Sequence, residues 1–162
     1  MSIYKPNLDK FSSKNFILPA GEWELEVASV KLRSVDIKNG KNAGSKMHMV
    51  SVSNRVIAST DGETELANKP VTFDFIINVD QEDGFKRVLK FAMTCNGIVA
   101  GTDEADEEFR SRFGGEDWSV DVDTGTLGSG WTMLQNKRFI GSTKIGGNLE
   151  YPRAELTSFR PF

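Results

Sequence analysis

Cysteine and histidine occur once each in the 162 residues, at Cys95 and His48. A lone cysteine excludes an internal disulfide framework and a cysteine-rich zinc site. A lone histidine with no cysteine near it reads as a surface or hydrogen-bonded residue rather than a metal ligand. No apolar run approaches the roughly 20 residues of a membrane-spanning helix. The opening MSIYKPNLDKFSSK lacks the apolar core of a signal peptide, so the expected location is the cytoplasm, with no membrane partner. Also missing are a phosphate-binding glycine loop, a dinucleotide fingerprint, a nucleophile elbow and metal-ligand spacing, so neither an enzyme nor a cofactor is expected. No internal repeat or low-complexity tract argues for a second domain. The chain reads as one domain over 1–162, with an N-terminal arm (1–18) and a C-terminal extension (142–162).

The net charge of -3 is unevenly spread. Residues 1–58 carry a net +4 and residues 135–162 a net +3, against -3 over 59–99 and -7 over 100–134. Such a chain is no generic polyanion binder, yet it can present a basic face.

The most informative stretch is PAGEWELEVASVKLR, Pro19 to Arg33. Trp23, Leu25 and Val27 alternate with Glu22, Glu24 and Glu26, the period of a half-buried strand. The phase then slips, because Val30 and Leu32 alternate with Lys31 and Arg33. One extra residue near Ala28 and Ser29 predicts a β-bulge that bends a long first strand. A glycine-punctuated loop, Ser34 to Ser45, follows it, and the second strand is predicted over Lys46 to Ala58. Pro70 to Val79 gives the third strand, with Phe73 and Phe75 among Val71, Ile77 and Val79 on one face and therefore assigned to the core.

From Gln81 the period becomes helical, with Phe85, Val88, Leu89, Ala92 and Met93 on one side and a stop at Asn96-Gly97. Cys95 falls on the last turn as an inert thiol, with no histidine placed to activate it. Thr102 to Phe113 predicts a short acidic helix capped by Thr102 or Asp103, whose carboxylates read as a solvated face. Trp118 to Asp123 reads as a fourth strand and Thr124 to Gly130 as a hairpin loop. Trp131 to Ile140 reads as a fifth strand, Gly141 to Asn148 as a loop, and Tyr151 to Phe162 as a last extended piece.

Three strands, a helix and two strands is the succession of an OB-fold. The expected fold is mainly β: a five-stranded OB-like Greek-key barrel with a helix between strands 3 and 4, a short acidic helix and a C-terminal extension. The segments PAGEWELEVASVKLR, KPVTFDFIINV, the helix ending in CNGI, and WSVDVDT leading through glycines to QNKRFIG together resemble a bacteriophage family of single-stranded DNA-binding proteins. The likeness runs from about Phe16 to Gly141, with Pro19, Gly21 and Trp23 as its opening signature. It implies non-sequence-specific binding of single-stranded DNA in phage replication or recombination, inside the host cytoplasm. Replication or recombination proteins would be partners, and a homo-oligomer is an allowed state. The rival reading is a protein-binding OB module that docks on a host or replisome protein through the acidic middle.

In an OB-fold the nucleic acid lies across strands 2 and 3, held by the loops joining strands 1 to 2 and 4 to 5. On the strands predicted above, those loops are Ser34 to Ser45 and Thr124 to Gly130. The expected nucleic-acid-binding residues are Lys31, Arg33, Lys38, Lys41, Lys46, His48, Trp131, Lys137 and Arg138, the lysines meeting phosphates and Trp131 stacking on bases. Core packing is the alternative for Trp131. The terminal Arg160-Pro161-Phe162 resembles the aromatic end of the partner-recruiting tails of such proteins, but the acidic half of that tail is missing. A docked final strand is therefore expected.

Overall fold

The computed structural model describes residues 2–9 and 11–162, so Lys10, one of the cations of the N-terminal arm, lies outside the described residues. Its organising element is β1, Gly21–Asp36, a 16-residue strand. β1 pairs antiparallel with β2, Lys46–Ser59, along nearly its whole length. Its first six residues also pair with β6, Arg138–Gly147. The register passes from Val27 opposite Asn54 to Ser29 opposite Ser53, so Ala28 is the extra residue of the predicted bulge. At this bend the Val27 amide donates to the Lys137 carbonyl (2.8 Å) and the Val27 carbonyl accepts from the Asn136 amide (2.8 Å). Beyond the bulge Lys31 and Arg33 are exposed, whereas before it Glu26 is buried and paired with Arg55 at 2.6 Å.

β3, Pro70–Ile77, adds to β2, with Val71, Phe73, Phe75 and Ile77 buried and the residues between them exposed. β7, Pro152–Pro161, adds to β6, which completes a five-stranded antiparallel sheet in the order β3-β2-β1-β6-β7. The sheet curls until its two edges approach: Phe75 of β3 and Phe159 of β7 make an edge-on contact at 6.2 Å. Among the described residues β3 and β7 share no ladder, so hydrogen bonds do not close the expected barrel. Instead α1, Lys86–Cys95, lies against this seam. Its Phe91 ring sits 4.9 Å from Phe75, 4.8 Å from Phe139 and 5.5 Å from Phe159. Arg87 places its guanidinium over the Phe75 ring and donates to the Leu156 carbonyl at 2.7 Å. Leu18, from the segment leading into β1, is buried in the same core.

α2, Asp103–Phe113, begins where the sequence predicts it, the Thr102 hydroxyl accepting from the Ala105 amide at 3.1 Å. Between α2 and β6 the structure departs from expectation. The predicted fourth strand is reduced to β4, Val120–Asp121, which pairs only with β5, Thr126–Leu127. The predicted fifth strand opens instead with a helical turn, α3, Ser129–Thr132. Trp131 and Leu134, three apart, are both buried, which is a helical spacing and not a strand one. Gly130 permits this, because a Cβ there would lie 2.5 Å from the Trp118 ring.

The fourth and fifth strands of the main sheet are therefore β6 and β7, and the stretch expected to be a loop and an extension (141–162) is their hairpin. Gly141 reads as a loop residue but sits inside β6, where a Cβ would meet the Leu156 and Leu25 side chains at 2.8 and 3.1 Å. The expected docked final strand is present as β7. No helix among the described residues is long and apolar enough to cross a membrane.

Candidate nucleic-acid interface

The outer face of the β1–β2–β3 half of the sheet carries Lys31 and Arg33, then Met47, Met49, Ser51 and Ser53, then Thr72, Asp74 and Ile76, in register across the three strands. Val50, Val52, Phe73 and Phe75 fill the opposite, inner face. Arg33 reaches Asp74 at 3.4 Å, and the Ser51 hydroxyl donates to the same carboxylate. Asp74 is thereby occupied. Lys31, Lys38, Lys41 and Lys46 are exposed, and none of them joins an ion pair among the described residues.

Lys38 and Lys41 lie on the β1–β2 loop, a built turn rather than a loose one. The Ile37 amide donates to the Ser45 carbonyl at 2.8 Å and the Gly44 amide to the Ile37 carbonyl at 2.9 Å. Gly40 and Gly44 hold left-handed conformations (φ 90° and 89°) that favour glycine.

The remaining expected residues do not join this group. Lys46 and His48 pair with Asp36 and Ser34, which puts them on the other side of the hairpin from Arg33 and Met49. The His48 Nδ1 hydrogen-bonds the Ser34 hydroxyl at 2.6 Å. Lys137 and Arg138 lie across the bulge. Arg138 faces Glu26, about 17 Å along β1 from Lys31 at the usual rise per strand residue, and its guanidinium stands over the Phe162 ring at 5.7 Å.

Trp131 is 1% exposed, with its indole N–H donating to the Trp118 carbonyl at 2.9 Å and its ring edge-on to Trp118 at 4.9 Å. It belongs to the core and cannot stack on a base. The Thr124 to Gly130 loop beside it brings no cation.

A groove of about 670 Å³ runs along the seam between β3 and β7. Arg33, Met49, Asp74 and Ile76 line one lip, Pro152, Arg153 and Glu155 the other, and Asn15 to Leu18 close one end. Beyond Ile76 a second hollow of about 630 Å³ is lined by Lys86, Arg87, Lys90 and Phe159. The outer face therefore borders two grooves, the first lined in part by Val71, Phe73, Phe75 and Leu156 and the second in part by Lys86, Arg87 and Lys90. Sequence reasoning missed this because the seam brings together residues about 80 positions apart.

Titration shifts lie elsewhere. A hydrogen bond from Arg160 holds the Glu22 carboxyl below its ordinary value, and local turn hydrogen bonds do the same for Asp117 and Asp121. Burial pushes the Cys95 thiol far up, which leaves it inert as expected. Among the described residues no group of three or more His, Cys, Asp or Glu side chains could hold a metal ion. No protein-family model matches the chain, and no curated protein is significantly similar to it.

Proposed function

We propose that the protein binds single-stranded DNA without sequence preference, across the outer face of β1, β2 and β3. The observation that carries this reading is the set of lysines, Lys31, Lys38 and Lys41, that join no ion pair among the described residues, on and beside an ordered hairpin next to a groove lined in part by Val71, Phe73 and Phe75. Free cations on a surface exchange their counterions for phosphates, and a sequence-tolerant binder needs little else besides stacking platforms.

The finer fold reading supports it. A sheet in the order β3-β2-β1-β6-β7, with α1 between its third and fourth strands, has the strand neighbours of a partly open OB barrel whose seam lies between β3 and β7. On that reading the two gripping loops are Ile37–Ser45 and Asn148–Tyr151. Both border strands that line the groove, and the resemblance to phage single-strand-binding proteins points the same way.

The test is a titration of labelled oligo(dT) beside duplex of equal length at several salt concentrations. Tighter binding of the single strand, falling steeply as salt rises, is the expected result. Folded protein that leaves oligo(dT) unshifted in low salt would overturn the reading in favour of a protein-docking module. The exposed acids of α2, Glu104 and Glu107, would then be the first surface to probe.

A further inference from the structure

We propose that the tip of the β6–β7 hairpin, Tyr151 with Leu149, is a stacking station for unpaired nucleobases. This rests on the single-strand reading above and supplies the aromatic platform that the buried Trp131 does not. Leu149 is fully exposed and Tyr151 is 72% exposed. Leaving such side chains in water forgoes the burial that normally stabilises them, and a ligand that covers them restores it.

The tip is built to hold them there. The Asn148 side-chain oxygen accepts from both the Glu150 amide (3.0 Å) and the Tyr151 amide (2.7 Å). Gly147 is left-handed at φ 77°, and a Cβ on it would lie 2.4 Å from the Tyr151 carbonyl oxygen. A tyrosine presented on a fixed turn spends little side-chain entropy on contact.

The surroundings name the ligand. Pro152 and Arg153, immediately after Tyr151, line the groove whose other lip is Arg33, Met49 and Ile76. A strand whose phosphates lie along the Lys31 and Lys38 side would bring its bases over this groove to the tip. A ring at a hairpin tip has no access to bases stacked inside a duplex, so the station also favours the single strand.

The experiment compares the full-length protein with Tyr151→Ala and Tyr151→Trp, using oligo(dT) at fixed salt and thermal melts of each. Tyr151→Ala is expected to weaken binding roughly tenfold or more, with an unchanged melting temperature and an unchanged salt slope. Tyr151→Trp is expected to retain affinity and to add a fluorescence signal that oligo(dT) quenches. Wild-type binding together with undiminished binding by Tyr151→Ala would overturn the stacking station alone. Failure of the wild type to bind would overturn the single-strand reading, and the station with it. Light scattering that shows a wild-type dimer and a monomeric Tyr151→Ala, with oligo(dT) binding equal in both, would make the tip a contact between copies instead.

Discussion

Lys38 and Lys41 carry the simplest consequence of the binding reading. Both are exposed, and neither supports the fold through an ion pair among the described residues. Replacing both with Ala should weaken oligo(dT) binding across all sequences and lower the salt slope by about one to two units while leaving the melting temperature nearly unchanged. A variant that binds with the wild-type slope would move the strand to another part of the surface. Phe91 is the opposite case, fully buried among three other phenylalanine rings at the seam. Phe91→Ala should cost about 3–5 kcal/mol by denaturant unfolding, from lost transfer energy plus the cavity left behind.

At the same scale the sequence was legible wherever a residue's partners lie on its own strand or helix. Phe73 and Phe75 were assigned to the core by spacing and are there, and Cys95, read as an inert thiol on the last helical turn, is buried beside them. Trp131 was the hard case. Its neighbours Ser129, Gly130 and Thr132 are ordinary strand or turn residues, and what buries it is Trp118, folded back over Gly130.

Elements with a continuous period were readable to within a few residues: β1 with its bulge, β2, β3, α1 and α2. The β6–β7 hairpin was not. Its outward and inward positions are filled by Gly141, Ser142, Thr143, Gly146 and Gly147, which locally resemble a loop. Gly141 is a strand residue because Leu25 and Leu156 pack where a larger side chain would stand, and at Gly146 the Glu155 side chain takes that space. Misplacing that hairpin also misplaced the loop that joins the fourth and fifth strands of the main sheet.

The end of β7 is tied down by Phe159, half-buried against the core, and by Arg160, which pairs with Glu22 at 2.9 Å. Deleting Ser158–Phe162 should therefore lower the melting temperature, with binding impaired only indirectly. Acid should loosen the same end. Glu22 has a folded-state pKa below its unfolded value, so the pairing contributes above the unfolded value and fades as pH falls through the folded one. Amide exchange at Phe159, Arg160 and Phe162 should rise as pH falls below the ordinary carboxylate range, before the β1 amides respond. Exchange that rises uniformly would assign no special role to this pair.

On the whole molecule, charge is partitioned rather than mixed. Two of the three acids in the first half of β1 pair with arginines, Glu22 with Arg160 and Glu26 with Arg55, whereas Lys31, Lys38 and Lys41 beyond the bulge join no ion pair among the described residues. The acidic α2 and the β4–β5 excursion join the main core through an aromatic chain, Phe113, Phe109, Trp118 and the core residue Trp131. A net charge of -3 is thus compatible with a basic binding face, as the charge blocks of the sequence suggest.

The seam between β3 and β7 also governs how the sheet breathes. β1 has a ladder on both sides over its first half, while among the described residues β3 and β7 each have one edge without a ladder, covered in part by the Phe75, Phe91 and Phe159 rings and the Arg87 bond to Leu156. Backbone amides on those edges can open without breaking a ladder bond, so in deuterium they should exchange orders of magnitude sooner than the amides of Leu25 and Val27. Such an opening would part the two lips of the groove while the β1–β2–β6 ribbon stays shut, so the groove's width is a coordinate the sheet can change without unpairing a strand.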